Sequence, residues 1–284
     1  MSILENFTEP LTKLLEMVAN TIGVIYKPVQ IRREAKAQGD ASIILAEANA
    51  KVKEIELRTR VRLDYIENRR QKNLDQIINK STLFLPSKVD NKPLDEDWTV
   101  QFFDYCKDIS NEEMQTIWSR LLAGEVSHPG TYSPRTLFVL KHMRKEDAEI
   151  FTKFCSFVWR VDGTLLGRFR ISGVHELAEN VGLNSYSLTQ LDNLGLVKYN
   201  YFHKTINDAD TFVAEYLGHK VLFELPKKID TNLVINGYST LHIDSLTDVG
   251  SELFTLCGPE YNEVYFNVVV KYFENLGASS KQTN

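Results

Sequence analysis

At 284 residues the chain has room for about two domains of ordinary size. A composition of 43% hydrophobic and 25% charged residues is that of a folded globular protein and excludes a disordered or fibrous one. The net charge of -5 gives no global pull toward nucleic acid, although a local basic face can sit inside that average.

No apolar run approaches the roughly 18 residues a spanning helix needs. The N-terminus "MSILENFTEPLTKLLEMVANTIGVIYKP" has neither a basic leader nor an AxA cleavage site, so it does not read as a secretory signal. Cys106, Cys155 and Cys257 lie far apart in apolar surroundings without a CxxC pair, as reduced buried thiols do. The expected location is cytoplasmic.

Residues 1–28 predict an amphipathic helix. Leu11, Leu14, Leu15, Val18, Ile22, Ile25 and Tyr26 recur at helical spacing, with Lys13, Glu16 and Asn20 between them. Its apolar face has two readings. It packs on the body or on a second subunit, or it lies on a membrane surface through residues 11–26, where Lys13, Lys27, Arg32 and Arg33 could meet anionic headgroups.

Pro28 ends that pattern, and residues 29–82 predict a single long helix: they contain no other proline, one glycine, Gly39, and an excess of strong helix formers. Twelve Lys and Arg against eight Asp and Glu make the segment locally +4, leaving -9 for the rest of the chain. The basic residues gather at Arg58, Arg60, Arg62, Arg69, Arg70 and Lys72, either as a phosphate-binding stripe or as a solvated face. Apolar residues are too sparse for a core helix and too many for one bathed in water. The spacing therefore predicts an oligomer seam at Ile44, Val52, Ile55, Ile66, Ile77 and Ile78.

Residues 83–159 read as a helical bundle. Asp95 is placed to cap a helix carrying Trp98, Phe102, Phe103 and Cys106, and Ser110 with Glu113 forms a capping-box pattern before Met114, Ile117, Trp118, Leu121 and Leu122. In "GEVSHPGTYSPRT" the glycines and prolines break and restart helices, with Ser133 and Pro134 at a helix start. His128 and Tyr132 are left over, and a lone His beside a Pro-Gly turn reads as a loop residue rather than a catalyst.

From residue 160 to 284 the pattern changes to a winged-helix-like domain with a C-terminal helix. "ISGVHELAENVGLNSYSLTQLDNLGLVKYN" gives helix, turn, helix and strand, the frame of a winged helix. The second of those helices offers Gln190, Asp192 and Asn193 but no Lys or Arg, which favours protein contacts over DNA. The fold class expected is mainly α with a smaller α+β part.

Catalytic motifs fail one by one. "HELAE" places Glu179 where a zinc protease needs its second His; His203, His219 and His242 lack ligand spacing; and no GxxxxGK[ST], GxGxxG or GxSxG occurs. No enzyme activity, cofactor or metal is expected.

The stretch Leu94–Phe154, with "MQTIWSRLLAGE" followed by "SPRTLFVLKHM", resembles the core of the bacterial abortive-infection alpha family and of a closely similar family of uncharacterised DUF proteins. "IGVIYKP", "AKAQGDA" and the tail from "LGLV" to "LTDVGSELF" are similar to the second of these. The resemblance implies phage defence by abortive infection and carries over no catalytic residue. Two expectations follow: an oligomeric, non-enzymatic interaction protein that meets a phage or host protein, and a nucleic-acid-binding regulator using the basic helix and the winged-helix-like part.

Overall fold

The computed structural model describes residues 9–22, 43–206, 211–226, 234–235 and 238–283. Ile25, Tyr26, Arg32, Arg33 and the whole of 29–42 lie outside them, as do the side chains of residues 43–50. The chain divides into two compact units, Met1–Pro134 and Arg135–Asn284. The division falls at Pro134 and not near residue 159, because the two helices read as the end of the bundle make their hydrogen bonds with the second unit.

The first unit is helical: α1 Glu9–Ile22, α2 Ile43–Ser81 with a 3-10 turn at Thr82–Phe84, α3 Glu96–Cys106 and α4 Glu112–Ser127. Asp95 caps α3 by accepting the Trp98 N–H at 2.8 Å. The cap of α4 is Asn111, one residue past Ser110: its side chain accepts the Met114 N–H at 3.0 Å. The core is aromatic, with Phe102 5.4 Å from Trp98 and 5.3 Å from Trp118 between ring centroids. Leu14, Met17 and Val18 of α1 are buried, α1 lies against α3 and α4, and Lys13 Nζ donates to the Asp90 and Lys92 carbonyls at 2.6 and 3.0 Å.

The second unit begins with α5 Pro134–His142 and α6 Lys145–Cys155, then wraps helices around one antiparallel sheet. Its strands are β1 Trp159–Val161, β2 Thr164–Phe169, β3 Val197–Ile206, β4 Thr211–Tyr216, β5 His219–Glu224, β6 Val234–Ile235, β7 Tyr238–Leu246 and β8 Ser279–Thr283. The order is β3-β7-β2-β1-β4-β5-β8, with β6 pairing β7. Between β2 and β3 come α7 Val174–Asn180 and α8 Ser185–Asn193; after β7 come α9 Asp248–Phe254 and α10 Glu263–Asn275. Phe273 of α10 packs its ring 4.7 Å from Phe223, 5.5 Å from Phe212 and 5.9 Å from Phe169, and so meets residues of three strands, β5, β4 and β2, with β8 alongside α10. α6 joins this unit through Asp147, which accepts from Gln190 of α8, and α5 through Thr136, which donates to Glu252.

One glycine is demanded by the sheet. At Gly167 φ is +146°, and a Cβ there would stand 2.0 Å from the Asp244 carbonyl oxygen, so β2 can approach β7 this closely only without a side chain.

Candidate functional site

The feature that stands apart from both cores is the first half of α2. Its last two turns are anchored: Asn73, Leu74, Ile77, Ile78 and Ser81 are buried in the first unit, Asn73 Nδ2 donates to the Lys107 carbonyl at 2.9 Å, and Ser119 Oγ of α4 donates to the Ile77 carbonyl at 2.9 Å. From Lys51 to Tyr65 every residue is exposed, Val52 by 50%, Ile55 by 61%, Val61 by 59% and Tyr65 by 72%. The seam expected from the sequence therefore divides. Ile77 and Ile78 belong to the unit's own core, Ile66 is half-buried, Val52 and Ile55 are bare, and the side chain of Ile44 lies outside the described residues.

The bare and the buried residues share one stripe. Val52, Ile55 and Thr59 are followed eleven residues on by Leu63, Ile66 and Arg70, and eleven further by Leu74, Ile77 and Ser81. An 11-residue repeat is about 3.67 residues per turn, close to the natural helix, so the stripe runs almost straight along α2. On the opposite side Leu57, Val61 and Tyr65 stand four apart and form a second apolar seam, all three exposed. Sequence reading missed this second seam; its i, i+4, i+8 spacing was the signal.

Charge fills the two edges between the seams. Lys51, Arg58, Arg62 and Arg69 fall on one edge, while Glu56, Asp64 and Glu67 fall on the other with Lys53 and Arg60 among them. Of the basic residues singled out in the sequence, Arg58 pairs with Glu54. Arg69 Nη2 and Arg70 Nε reach the same Asp108 oxygen at 2.7 and 3.1 Å, with Arg70 Nη2 on the other oxygen at 3.2 Å. Those bonds, that of Arg70 first, hold the Asp108 carboxyl below the ordinary aspartate range. Arg60, Arg62 and Lys72 have no ion-pair partner among the described residues.

The Pro-Gly loop after α4 is organised by a carboxylate rather than by its histidine. Glu125, 1% exposed, accepts the Gly130 N–H at 2.6 Å and the Tyr132 N–H at 3.0 Å, and burial raises its pKa against the opposing pull of those donors. His128 is exposed and serves through its backbone as the C-cap of α4, donating its N–H to the Gly124 carbonyl at 2.9 Å. No sequence signal marks Glu125, since a buried carboxylate held by backbone amides looks like any other glutamate on a helix.

In the second unit α8 turns Leu188 and Leu191 inward and leaves Tyr186, 79% exposed, on its outer face with Thr189, Asp192 and Asn193. Cys155 and Cys257 of that unit are hydrogen-bonded to each other, with Thr152 Oγ1 3.9 Å from the Cys257 sulfur. Among the described residues no group of three or more His, Cys, Asp or Glu side chains is arranged to hold a metal ion, and no helix is long and apolar enough to cross a membrane.

The sequence model of a family described as "Protein of unknown function (DUF2806)" matches residues 57–270, a span that holds most of α2, the helices α3 to α9 and the strands β1 to β7. No curated protein and no solved structure matches the chain.

Proposed function

The chain belongs to the DUF2806 family of proteins of unknown function, and from its surface we propose that it is a non-enzymatic interaction protein which assembles with copies of itself through the exposed half of α2. The observation that carries this is the run Lys51–Tyr65, fifteen consecutive exposed residues bearing apolar seams on two opposite sides. An isolated helix of this length is marginal in water, and its exposed aliphatic side chains gain free energy only when covered.

A second copy is the occupant that fits. One partner helix cannot cover two opposite seams, so the assembly holds more than two arms. Each seam runs between the basic edge of Lys51, Arg58 and Arg62 and the edge carrying Glu56, Asp64 and Glu67. Arms laid side by side in parallel then set the basic edge of one against the mixed edge of the next, where Glu56, Asp64 and Glu67 outnumber Lys53 and Arg60. The second seam lies opposite the side on which α2 packs into its own unit, which leaves it open for such a neighbour.

The cellular role proposed is bacterial anti-phage defence of the abortive-infection kind, in the cytoplasm; its support is the resemblance of Leu94–Phe154. A phage or host protein would be met by the second unit. Support for a winged-helix-like frame there is the run β2-α7-α8-β3-β7 with strand order β3-β7-β2. The outer face of α8, without Lys or Arg, suits a protein better than phosphates. A second reading, nucleic-acid binding, is favoured by one observation alone, the exposed Arg60, Arg62 and Lys72.

Light scattering of the full chain tests the assembly. The unmodified protein is expected to be larger than a dimer, and Ile55→Asp with Val61→Asp, which charges both seams, to be monomeric with an unchanged melting temperature. A monomeric unmodified protein sinks the proposal. Salt-dependent binding of duplex DNA or RNA by the unmodified chain, lost in Arg60→Ala with Arg62→Ala, would carry the second reading instead. Plaque counts on bacteria expressing each variant test the defence role separately: no protection by the unmodified chain ends that part while the assembly stands.

A further inference from the structure

Two cysteines of the second unit meet at the end of α6. Cys155 is the last residue of that helix, Cys257 lies in the irregular chain between α9 and α10, and the Cys155 thiol donates a hydrogen bond to the Cys257 sulfur. Thr152, one turn earlier on α6, directs its hydroxyl to the same sulfur at 3.9 Å, across 105 residues of sequence. Thr152 and Cys155 stand at i and i+3 on one face of the helix. Two side chains of that face therefore fix the Cys257 sulfur beside the sulfur of Cys155.

The two thiols differ in access. Cys155 is buried and Cys257 half-buried; beside Cys257 the chain is open, for Gly258 is exposed and a Cβ on it would meet nothing within 4 Å. A molecule the size of hydrogen peroxide reaches Cys257 and not Cys155. Burial, with the hydrogen bond it gives, keeps Cys155 protonated, which suits a thiol that waits for an oxidised neighbour rather than one that meets the oxidant first. A disulfide needs its sulfurs about 2 Å apart. Residues 257–262 lie in neither helix nor strand, so the chain at Cys257 can supply that approach without breaking a regular element. The third cysteine, Cys106, is buried in the first unit with its thiol on the Phe103 carbonyl.

We propose that Cys155 and Cys257 form a reversible disulfide, a peroxide-responsive modification site in which Cys257 is oxidised first and Cys155 resolves it. The Cys257 thiolate attacks one oxygen of hydrogen peroxide; the S–O bond forms as the O–O bond breaks, and hydroxide leaves and takes up a proton as water. Cys257 is then a sulfenic acid. The Cys155 sulfur attacks the sulfenic sulfur, the S–S bond forms as the S–O bond breaks, and the departing hydroxide carries off the Cys155 proton as a second water. Two thiols have lost two electrons, and one peroxide has become two waters. A small dithiol reverses the change by attacking the sulfur of Cys257, the reachable one, and releasing Cys155. The bond closes a loop that takes in β1 to β7 and α7 to α9, so oxidation fastens α6 to the chain after α9 and stabilises the second unit. The site is independent of assembly through α2.

Mass spectrometry of the full chain tests the inference. The folded protein is treated with a slight excess of hydrogen peroxide, its remaining thiols are blocked with N-ethylmaleimide in denaturant, and the tryptic peptides are read without reduction. An intramolecular link between Cys155 and Cys257 is expected, with Cys106 recovered as its maleimide adduct and the link undone by dithiothreitol. The melting temperature of the second unit should rise by about 5 °C or more in the oxidised protein. In Cys155→Ala the same treatment should leave Cys257 as a sulfenic acid that dimedone traps, and in Cys257→Ala it should leave Cys155 unmodified. The unmodified chain decides the matter even where a variant does not fold. Overoxidation of Cys257 without a link to Cys155, a link between the Cys257 residues of two chains, a link that includes Cys106, or a melting temperature that does not change on oxidation overturns the proposal.

Discussion

Gly124 and Tyr132 touch across the loop that follows α4. A Cβ on Gly124 would stand 2.8 Å from both Cε2 and the hydroxyl oxygen of the Tyr132 ring, which is itself 4% exposed, while Glu125 holds the Tyr132 backbone N–H at 3.0 Å. The ring is buried, so making room for a methyl group requires its surroundings to shift as well. Gly124→Ala should therefore lower the stability of the first unit by about 1–3 kcal/mol, as overpacking does, seen as a fall in the denaturant midpoint. His128→Ala, which leaves the backbone cap in place, should change stability by less than about 0.5 kcal/mol and leave assembly intact. Loss of either in a folded His128→Ala protein would return the histidine to the list of functional residues.

Asp108 ties the end of α3 to α2 through Arg69 and Arg70, and its folded pKa is lowered below the ordinary 3.8. A carboxyl with a depressed folded pKa contributes stability that is present above the unfolded value and is lost as pH falls through the folded value. Because the carboxylate is almost half exposed, the contribution is small, under about 1 kcal/mol. Asp108→Asn should be slightly less stable than the unmodified chain at neutral pH, and the two should converge in acid below pH 3.8. A difference that grows on acidification would contradict the assignment.

Ile55 and Ile77 lie on the same stripe of α2 yet should answer mutation in opposite ways. Ile77 is 0% exposed inside its own unit, so Ile77→Ala is expected to cost about 2–5 kcal/mol of stability without altering the stoichiometry of the protein that remains folded. Ile55, 61% exposed, should do the reverse when changed to Asp: the melting temperature of dilute protein holds and the assembly weakens. Thermal unfolding and light scattering on the two variants separate the roles, and identical behaviour would refute the division of the stripe.

The thiols differ in reach. Burial pushes the Cys106 thiol far above its usual range, and burial together with the hydrogen bond that its thiol gives to Cys257 does the same for Cys155, whereas Cys257 is only half-buried. Thiolate is the reacting form. Alkylation of the folded protein at neutral pH should mark Cys257 first, with Cys106 and Cys155 modified only on unfolding. Mass spectrometry reads this out, and early labelling of Cys106 would show that the first unit opens.

Much of the local structure was legible in the sequence because its causes are local. Asp95 before Trp98 and Pro134 at the start of α5 mark helix starts wherever they occur, since a cap needs only its own next three residues. The composition of 29–82 predicted one long helix for the same local reason, and of that stretch residues 43–81 are described as helix α2. What the tertiary structure alone decided involves partners far apart in the chain. Arg168 meets Asp244 across 76 residues, Cys155 meets Cys257, α5 and α6 side with the sheet, and the stripe of α2 is buried from Leu74 onward but bare before Ile66. Periodicity records which side of an element is apolar, not what covers it; the cover comes from chain that returns dozens of residues later, and no local pattern marks its arrival.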